Sequence, residues 1–480
     1  MNWQVIKFQV LKWLRRIVFY GLYGLVIFSV VGFGVLQIPW VQKSLVSQVT
    51  DRFSAVSGFT VAFDRFHFVW YDRLEITNLH ITDPEQNSMI EAGNLFVNFS
   101  ISNLLDNSDI NLDAVSLTGG NVSLVSIHDS DTSVRLNINV FVDAINKQLS
   151  SGKKGGKSPK IRIAEVLVEQ SLFSYNQTQK DSIRGFDYNH FKVALDEGNL
   201  DNFNIIGDTI EFQLGSLQIK DEKTQLHVRQ LSTFFRISQG GMEFIGLNLD
   251  CNTSHISDTI IFRYNSQADL SDFNNKVQID ARLKNTVLHP EDIAHFTTGL
   301  EQWVEPIQLN GHFRGKVAHF TFSPMQASIG SSMVAGSLEM DGLPVIRETF
   351  INARLKPSRV YMRDLGFLFP EAFTRNLGPL NQVQLKGNFL GYINDFVADG
   401  EMITPFGLVQ SDINYKIEET NLRQSAYNGQ LKLTNFEIGR FVGDTVNLQK
   451  VTLAGRIKGK GFTKESADFT LVGEIPSVGV

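Results

Sequence analysis

The hydrophobic and polar positions of this chain fall into three regimes. From Ile17 to Gln42 there is no charged residue, and Ile17–Ile38 is apolar and long enough to cross a hydrocarbon layer of about 30 Å as a helix. From Pro39 the apolar positions Val41, Leu45, Val49 and Phe53 recur at a four-residue spacing, which predicts a short amphipathic helix over 39–58. Pro39 stands at its first position and Gly58 at its end. This helix would lie on a membrane face or plug the start of the β-structure. From Phe59 onward the period changes to two. Leu95, Val97, Phe99 and Ile101 alternate with polar neighbours, and Val277, Ile279, Ala281 and Leu283 alternate with Gln278, Asp280, Arg282 and Lys284. Each such strand has one apolar and one wet face.

Gly- and Asn-rich signals punctuate the strands, as at Thr118–Asn121 and Gln239–Gly241, and predict hairpins in an antiparallel meander. Beyond the span and the helix over 39–58, helices are expected over Asn139–Leu149, around Pro290–Trp303 and near Arg363–Phe373. The second half also repeats itself. Leu309, Gly311, Phe313 and Gly315 share the form Leu-x-Gly-x-(Phe/Ile)-x-Gly with Leu385, Gly387, Phe389 and Gly391, and with Leu453, Gly455, Ile457 and Gly459. Gly311 to Gly387 is 76 residues and Gly387 to Gly455 is 68, so units of a few strands each are expected to stack along an elongated body. The organisation read from the chain is a tail and anchor over 1–38, a helix over 39–58, a β region over 59–285 and a repeating β region over 286–480.

Composition narrows the function classes. A net charge of -6 supplies no positive excess for a phosphate backbone, so nucleic acid is not an expected partner. The 37 Phe against 12 Pro suit half-buried strands, and the single Cys251 forms no internal disulfide. Lys7, Lys12, Arg15 and Arg16 precede the apolar span and only Lys43 follows closely, which places the N-terminus in the cytoplasm and the bulk beyond the membrane. Trp13, Tyr20 and Tyr23 on one side and Trp40 on the other suit the two interfaces. A cleaved signal peptide fits less well, because the small residues Gly32 and Gly34 sit inside the apolar run.

Chemical motifs are sparse. Ser151–Ser158 lacks the first Gly of a phosphate loop and precedes the strand-like Ile161–Glu169 instead of a helix, so it reads as a linker. His289, Glu291, Asp292 and His295 could ligate a metal, yet the same segment is a good helix start with Pro290 first and acids in the first turn. Asp106, Asp109 and Asp113 are spaced like loop acids. No catalytic set, metal or cofactor is nominated, and an enzyme is not expected.

The span, the stretch Trp40–Asp83 with its Leu79–Asp83 close, and the strand run after it resemble the AsmA-like/TamB family. The segments Asn137–Tyr175 and Gly330–Pro370 resemble its Bacteroidetes-type members. The resemblance implies an all-β fold behind one N-terminal transmembrane helix, open and taco-like, held in the inner membrane through residues 17–38 with its bulk in the periplasm. Members run longer and finish in a C-terminal β-domain, so by that comparison this chain is a fragment or a truncated product. The function implied is outer-membrane biogenesis by conducting phospholipid between the two membranes. The alternative is assembly of outer-membrane β-barrel or autotransporter proteins with an Omp85-type barrel partner, and a purely structural tether is a third. Under the first reading Leu95, Val97, Phe99, Ile101, Val277, Ile279, Ala281 and Leu283 line the groove. Burying a methylene is worth about 0.8 kcal/mol, so a diacyl lipid with roughly 30 of them would meet a barrier near ~25 kcal/mol in bare water, which an apolar groove removes.

The charge asymmetry sets an expected topology. A reporter fused after Val480 should be active only outside the cytoplasm; activity inside it would overturn the orientation.

Overall fold

The computed structural model describes residues 31–478 apart from 33, 36, 71, 101–108, 131–132, 150–159, 297–303, 366–377, 419, 422 and 462–465. Most of the expected span Ile17–Ile38, and also Ile101, Asp106 and the linker 151–158, lie outside the described residues. Among the described residues no helix is long and apolar enough to cross a membrane. The chain is mostly strand with a few short helices, and among the described residues no strand pairing closes the sheet on itself. It divides into two compact units: the residues to Ser182 with Asp187–Gly207 and Ile219–Lys223, and then Ile183–Phe186, Asp208–Gln218 and Thr224–Val480.

In the first unit, helix α1 (Pro39–Ser57) begins at its proline and ends where Gly58 takes a left-handed φ of 76° and its N–H bonds to the Ser54 carbonyl. Strands β1 (Thr60–Ala62), β2 (Arg65–Trp70), β3 (Arg73–Thr82), β4 (Ser88–Asn98) and β5 (Ile110–Ser130) follow, with β1 and β2 both paired to β3. The short β6 (Ser133–Leu136) turns back on β5 and feeds helix α2 (Asn137–Leu149). Strand β7 (Ile161–Asn176) then pairs parallel to β5 and antiparallel to β8 (His190–Ile206). The parallel pair departs from the expected meander, and the β6–α2 excursion supplies the crossover that a parallel pairing needs. The expected turn at Thr118–Asn121 is likewise replaced by continuous strand: β5 is 21 residues long and pairs with β4 and β7 on either side of the two glycines. Gly119 absorbs a φ of 67° there, and Ser171 Oγ accepts the Gly120 N–H at 3.0 Å. Pairing on both flanks outweighs the local turn preference.

The core of this unit is Phe59, Ile81 and Met89, on which Phe53 of α1 and Val140 and Phe141 of α2 pack. Phe141 meets Phe53 and Phe59 edge-on at 5.8 and 5.1 Å. Helix α1 therefore packs on the β-structure. Asn137, fully buried at the head of α2, fastens that helix to the sheet: its amide donates to Asp83 and to the Ser123 carbonyl, and its Oδ1 accepts the Val125 N–H.

The second unit contains most of β9 (Thr209–Asp221) and then a sequential antiparallel ladder in four-strand groups. The first group is β10 (His227–Ser238), β11 (Gly241–Cys251), β12 (Ser254–Arg263) and β13 (Gln278–Leu288). The second is β14 (Ile307–Lys316), β15 (His319–Ile329), β16 (Ser332–Asp341) and β17 (Phe350–Tyr361). The third is β18 (Gln382–Tyr392), β19 (Asp395–Thr404), β20 (Gly407–Lys416) and β21 (Ala426–Glu437). Strands β22 (Lys450–Lys460) and β23 (Asp468–Val478) continue it. In each group a tight turn at the rim where β13 begins joins the first two strands, and a tight turn at the opposite rim joins the second to the third. Longer connections then alternate between the same two rims.

The Leu-x-Gly-x-(Phe/Ile)-x-Gly motif is the first strand of the second and third groups and recurs in β22, which follows them. Its last glycine stands opposite a phenylalanine of the next strand each time: Gly315 opposite Phe320, Gly391 opposite Phe396, Gly459 opposite Phe469. The missing side chain lets that ring lie across the strand onto the motif's own ring. Phe313–Phe320 and Phe389–Phe396 stack at 4.4 and 4.5 Å with interplanar angles of 26° and 27°. Gly315 and Gly391 share the φ values 134° and 137°, which L side chains rarely adopt.

A second device recurs at the opposite rim. Asp292 accepts hydrogen bonds from the Ser254 N–H and Oγ at 2.9 and 2.6 Å, and Asp364 accepts from the Ser331 N–H and Ser332 Oγ at 2.9 and 2.7 Å. Each serine hydroxyl in turn accepts a backbone N–H, from His289 and Tyr361 respectively. A carboxylate placed after the fourth strand thus clasps the turn between the second and third.

A Cβ at Gly391 would stand 2.4 Å from the Asp395 carbonyl oxygen and 2.7 Å from Phe396 Cα. Gly391→Val should therefore lose roughly 2–4 kcal/mol of stability. Leu390→Thr, on the exposed face beside it, should cost less than about 0.5 kcal/mol. Equal melting temperatures for the two variants would reject the close approach.

Candidate functional site

Because the side-chain period of a strand is two and the ladder holds its register, one face of the second unit is apolar from strand to strand. Directly opposed residues carry a single row through it: Phe235, Phe244, Ile260, Ala281, Phe313, Phe322, Leu338 and Ala353, then Phe389, Ala398, Ile413, Gly429, Ile457 and Leu471. No polar side chain interrupts this row. At a strand spacing of about 4.8 Å it follows the ladder for on the order of 60 Å. The opposite face is wet, with Arg282, Lys284, Arg314, Arg354, Lys386, Asp412, Lys432 and Arg456 exposed. A depression of about 630 Å³ on it is lined by Lys386, Asp399, Glu401, Gln410, Asp412 and Lys432. Within it Glu401 lies 3.5 Å from Lys386 and accepts from Gln410, while Asp399 accepts from Asn388.

Among the described residues two buried clusters lie on the apolar face. At its start Leu270 and Phe273, from the connection between β12 and β13, pack on Tyr264, Val277, Ile279 and Ala281, together with Met242, Phe262, Leu283 and Phe313. Farther along, Phe406, Leu433, Phe436, Val451 and Leu453 are buried beneath Leu380 and beneath Ile438 and Phe441 of a short helix, Ile438–Val442. Between them Leu338, Met340, Ile351, Ala353, Phe389, Phe396 and Ala398 belong to neither cluster and are only half-buried. This half-buried apolar strip defines the candidate site.

The residues expected to line a groove divide accordingly. Leu283 is half-buried, whereas Val277, Ile279 and Ala281 retain 0, 9 and 6 % of their exposure and lie under Leu270 and Phe273. In the first unit Leu95 and Val97 are half-buried in rows that run Phe66–Ile76–Leu95–Leu117–Val168 and Phe68–Leu74–Val97–Val115–Val166. Phe99 lies past the end of β4, buried, with its N–H bonded to the Asp72 carbonyl. The strip itself spans β16 to β19, where the single sequence gives apolar alternation no stronger than elsewhere; the motif phenylalanines 313 and 389 were the available pointer.

The other chemical candidates are held by structural tasks. Residues Pro290–Ile293 form a helical turn with Pro290 at its start, and residues 297–303 of the longer helix expected there lie outside the described residues. Burial works to raise the Asp292 carboxyl, but the hydrogen bonds from Ser254, Asn252 and Thr253 outweigh it and hold the group below the usual carboxylate range. His289 and His295 join no metal cluster, and among the described residues no three His, Cys, Asp or Glu side chains converge on a metal-sized site. Asp109 pairs with Arg162 at 3.4 Å, and Asp113 accepts from Ser100 Oγ. The Cys251 thiol is pushed up to about 11 by burial and by the Asp292 charge, which leaves it a poor nucleophile.

No protein-family model matches the chain, no curated protein is similar to it in sequence, and no solved structure is similar to it in fold.

The Asp292 clasp has a pH signature. A depressed carboxyl contributes stability that is present above its unfolded value, about 3.9, and is lost as the pH falls through the lower folded value. Asp292→Asn should cost about 1–3 kcal/mol near neutral pH in urea unfolding. That gap should narrow below about pH 4. A gap unchanged with pH would show that the charge is not what the turn needs.

Proposed function

We propose that this protein is an inner-membrane-anchored, periplasmic β-groove protein that supports outer-membrane biogenesis by conducting phospholipid between the two membranes. The observation that carries the reading is the unbroken apolar row of the second unit with its half-buried middle. Acyl chains laid on Leu338, Ala353, Phe389 and Ala398 would remove from water both their own surface and that of the strip, and headgroups would stay at the wet rims. The sheet can present this strip without unfolding because its backbone groups are satisfied by the ladder itself. Residues 17–38 supply the anchor and the basic residues before them its orientation. With no nucleotide or catalytic site proposed, movement follows a gradient or a partner, and an Omp85-type barrel is the proposed acceptor at the outer membrane.

The test is phospholipid transfer between donor and acceptor vesicles by the full chain. Ala353→Asp places a carboxylate in the row where it would face lipid tails, and should slow transfer on the order of tenfold or more with an unchanged melting curve. Ser337→Asp, on the opposite face across from Arg354, should leave transfer unaltered. Wild-type transfer by the Ala353→Asp variant would sink the conduit. Capture of unfolded outer-membrane β-barrel chains with no lipid bound would move the reading to assembly of those proteins.

A further inference from the structure

The connection 264–277 between β12 and β13 stands out among its counterparts. The equivalent connection of the next group, 342–349, contributes no residue to either buried cluster of the apolar face and leaves Val345 and Ile346 exposed at 50 and 44 %. Covering this face is therefore no requirement of the four-strand repeat. In the first group the chain makes a 3₁₀ turn (Gln267–Asp272) and a single α-turn (Phe273–Lys276), which set Leu270 and Phe273 on Val277, Ile279 and Ala281. Phe273 also meets Phe262 edge-on at 5.3 Å, ending a chain of ring contacts that runs through Phe212, Phe235 and Phe244.

The cover is tied mostly to itself. Asn265 N–H bonds to Asp269, Ser271 Oγ to the Ala268 carbonyl and Asn275 to Asp272, and Lys276 lies 4.0 Å from both Asp269 and Asp272. Toward the ladder it offers the Asn274 carbonyl, which accepts the Ala318 N–H at 3.0 Å, and the two apolar side chains. It can leave the face without breaking a strand pairing.

We propose that the surface of Val277, Ile279 and Ala281 is an acyl-chain subsite which the protein occupies with its own Leu270 and Phe273. The segment 265–276 then acts as an internal ligand that a lipid tail displaces. This rests on the lipid reading above and adds to it where the strip is closed and by what. The chemistry of the exchange is like for like: a saturated tail of roughly a dozen or more methylenes presents apolar surface comparable to a leucine and a phenylalanine. It would lie in the same row that continues through the buried Phe322 to the half-buried Leu338 and Ala353.

A diazirine analogue of leucine is placed at 279 or at 338 in the full chain, which is mixed with vesicles of phosphatidylethanolamine and phosphatidylglycerol and irradiated. In the wild-type background position 338 should label lipid, and position 279 at most about one tenth as much. With Leu270→Ala and Phe273→Ala together, labelling at 279 should rise to within about twofold of that at 338, while circular dichroism and melting confirm the ladder. Equal labelling at the two positions in the wild type would overturn the proposal, because the cover would then not occupy the subsite. So would a double variant that stays folded and labels at 338 but never at 279, since that surface would then be plain core. Absence of label at 338 in every background would remove the lipid reading itself, and this one with it.

Discussion

Everything in the second unit depends on a backbone ladder that never loses its face. A strand's side chains alternate with period two, so a slip of one residue in any pairing would turn the apolar set of that strand to the wet side. From β10 to β23 no such slip occurs in the central row: Phe235 and Leu471 are linked by direct opposition through every strand between them. Register irregularities are present, as between Leu283 and Thr286 or Leu355 and Ser358, but they lie to one side of the row and leave it aligned. A long apolar strip can then form from residues that are individually ordinary.

The repeat keeps that register by local means. Opposing a glycine to a phenylalanine fixes which residue crosses which, because only that pairing lets the ring stack on its diagonal neighbour. A carboxylate after the fourth strand, bonded to a serine in the preceding turn, pins the far rim in the same way at Asp292 and Asp364. The third group lacks the carboxylate–serine form and uses backbone instead, the Glu437 N–H bonding to the Phe406 carbonyl. There an apolar cluster around Phe406 and Phe436 takes over the closure. The clasp is thus replaceable, whereas the glycine–phenylalanine opposition recurs at Gly315, Gly391 and Gly459.

Coverage varies while the ladder stays constant. Helices α1 and α2 pack on the core of the first unit, Leu270 and Phe273 on the start of the apolar row of the second, and the turn at Ile438–Val442 farther along. These coverings come from the connections, whose sequences differ from group to group, and among the described residues the half-buried stretch between them belongs to neither cluster. Strands make the apolar surface, and residues of the connections pack on parts of it.

Local physics made much of the architecture legible from the chain alone. Period-two alternation identified strands such as β13, Pro39 and Gly58 bounded α1 by their backbone restrictions, and the spacing of Gly311, Gly387 and Gly455 disclosed a repeat whose groups prove to be four strands each. Each of these properties is decided within a few residues. What the chain could not disclose depends on neighbours distant in sequence. Thr118–Asn121 has turn chemistry, yet it is held straight because β4 and β7 pair with it from both sides. Asp292 looked like a helix acid or a metal ligand, and its role became visible only when Ser254 came within 2.6 Å. Ile279 has the alternation of a groove residue; whether it meets ligand or protein is settled by where Leu270 and Phe273 fold, and a pattern of alternation carries no information about what covers the face it creates.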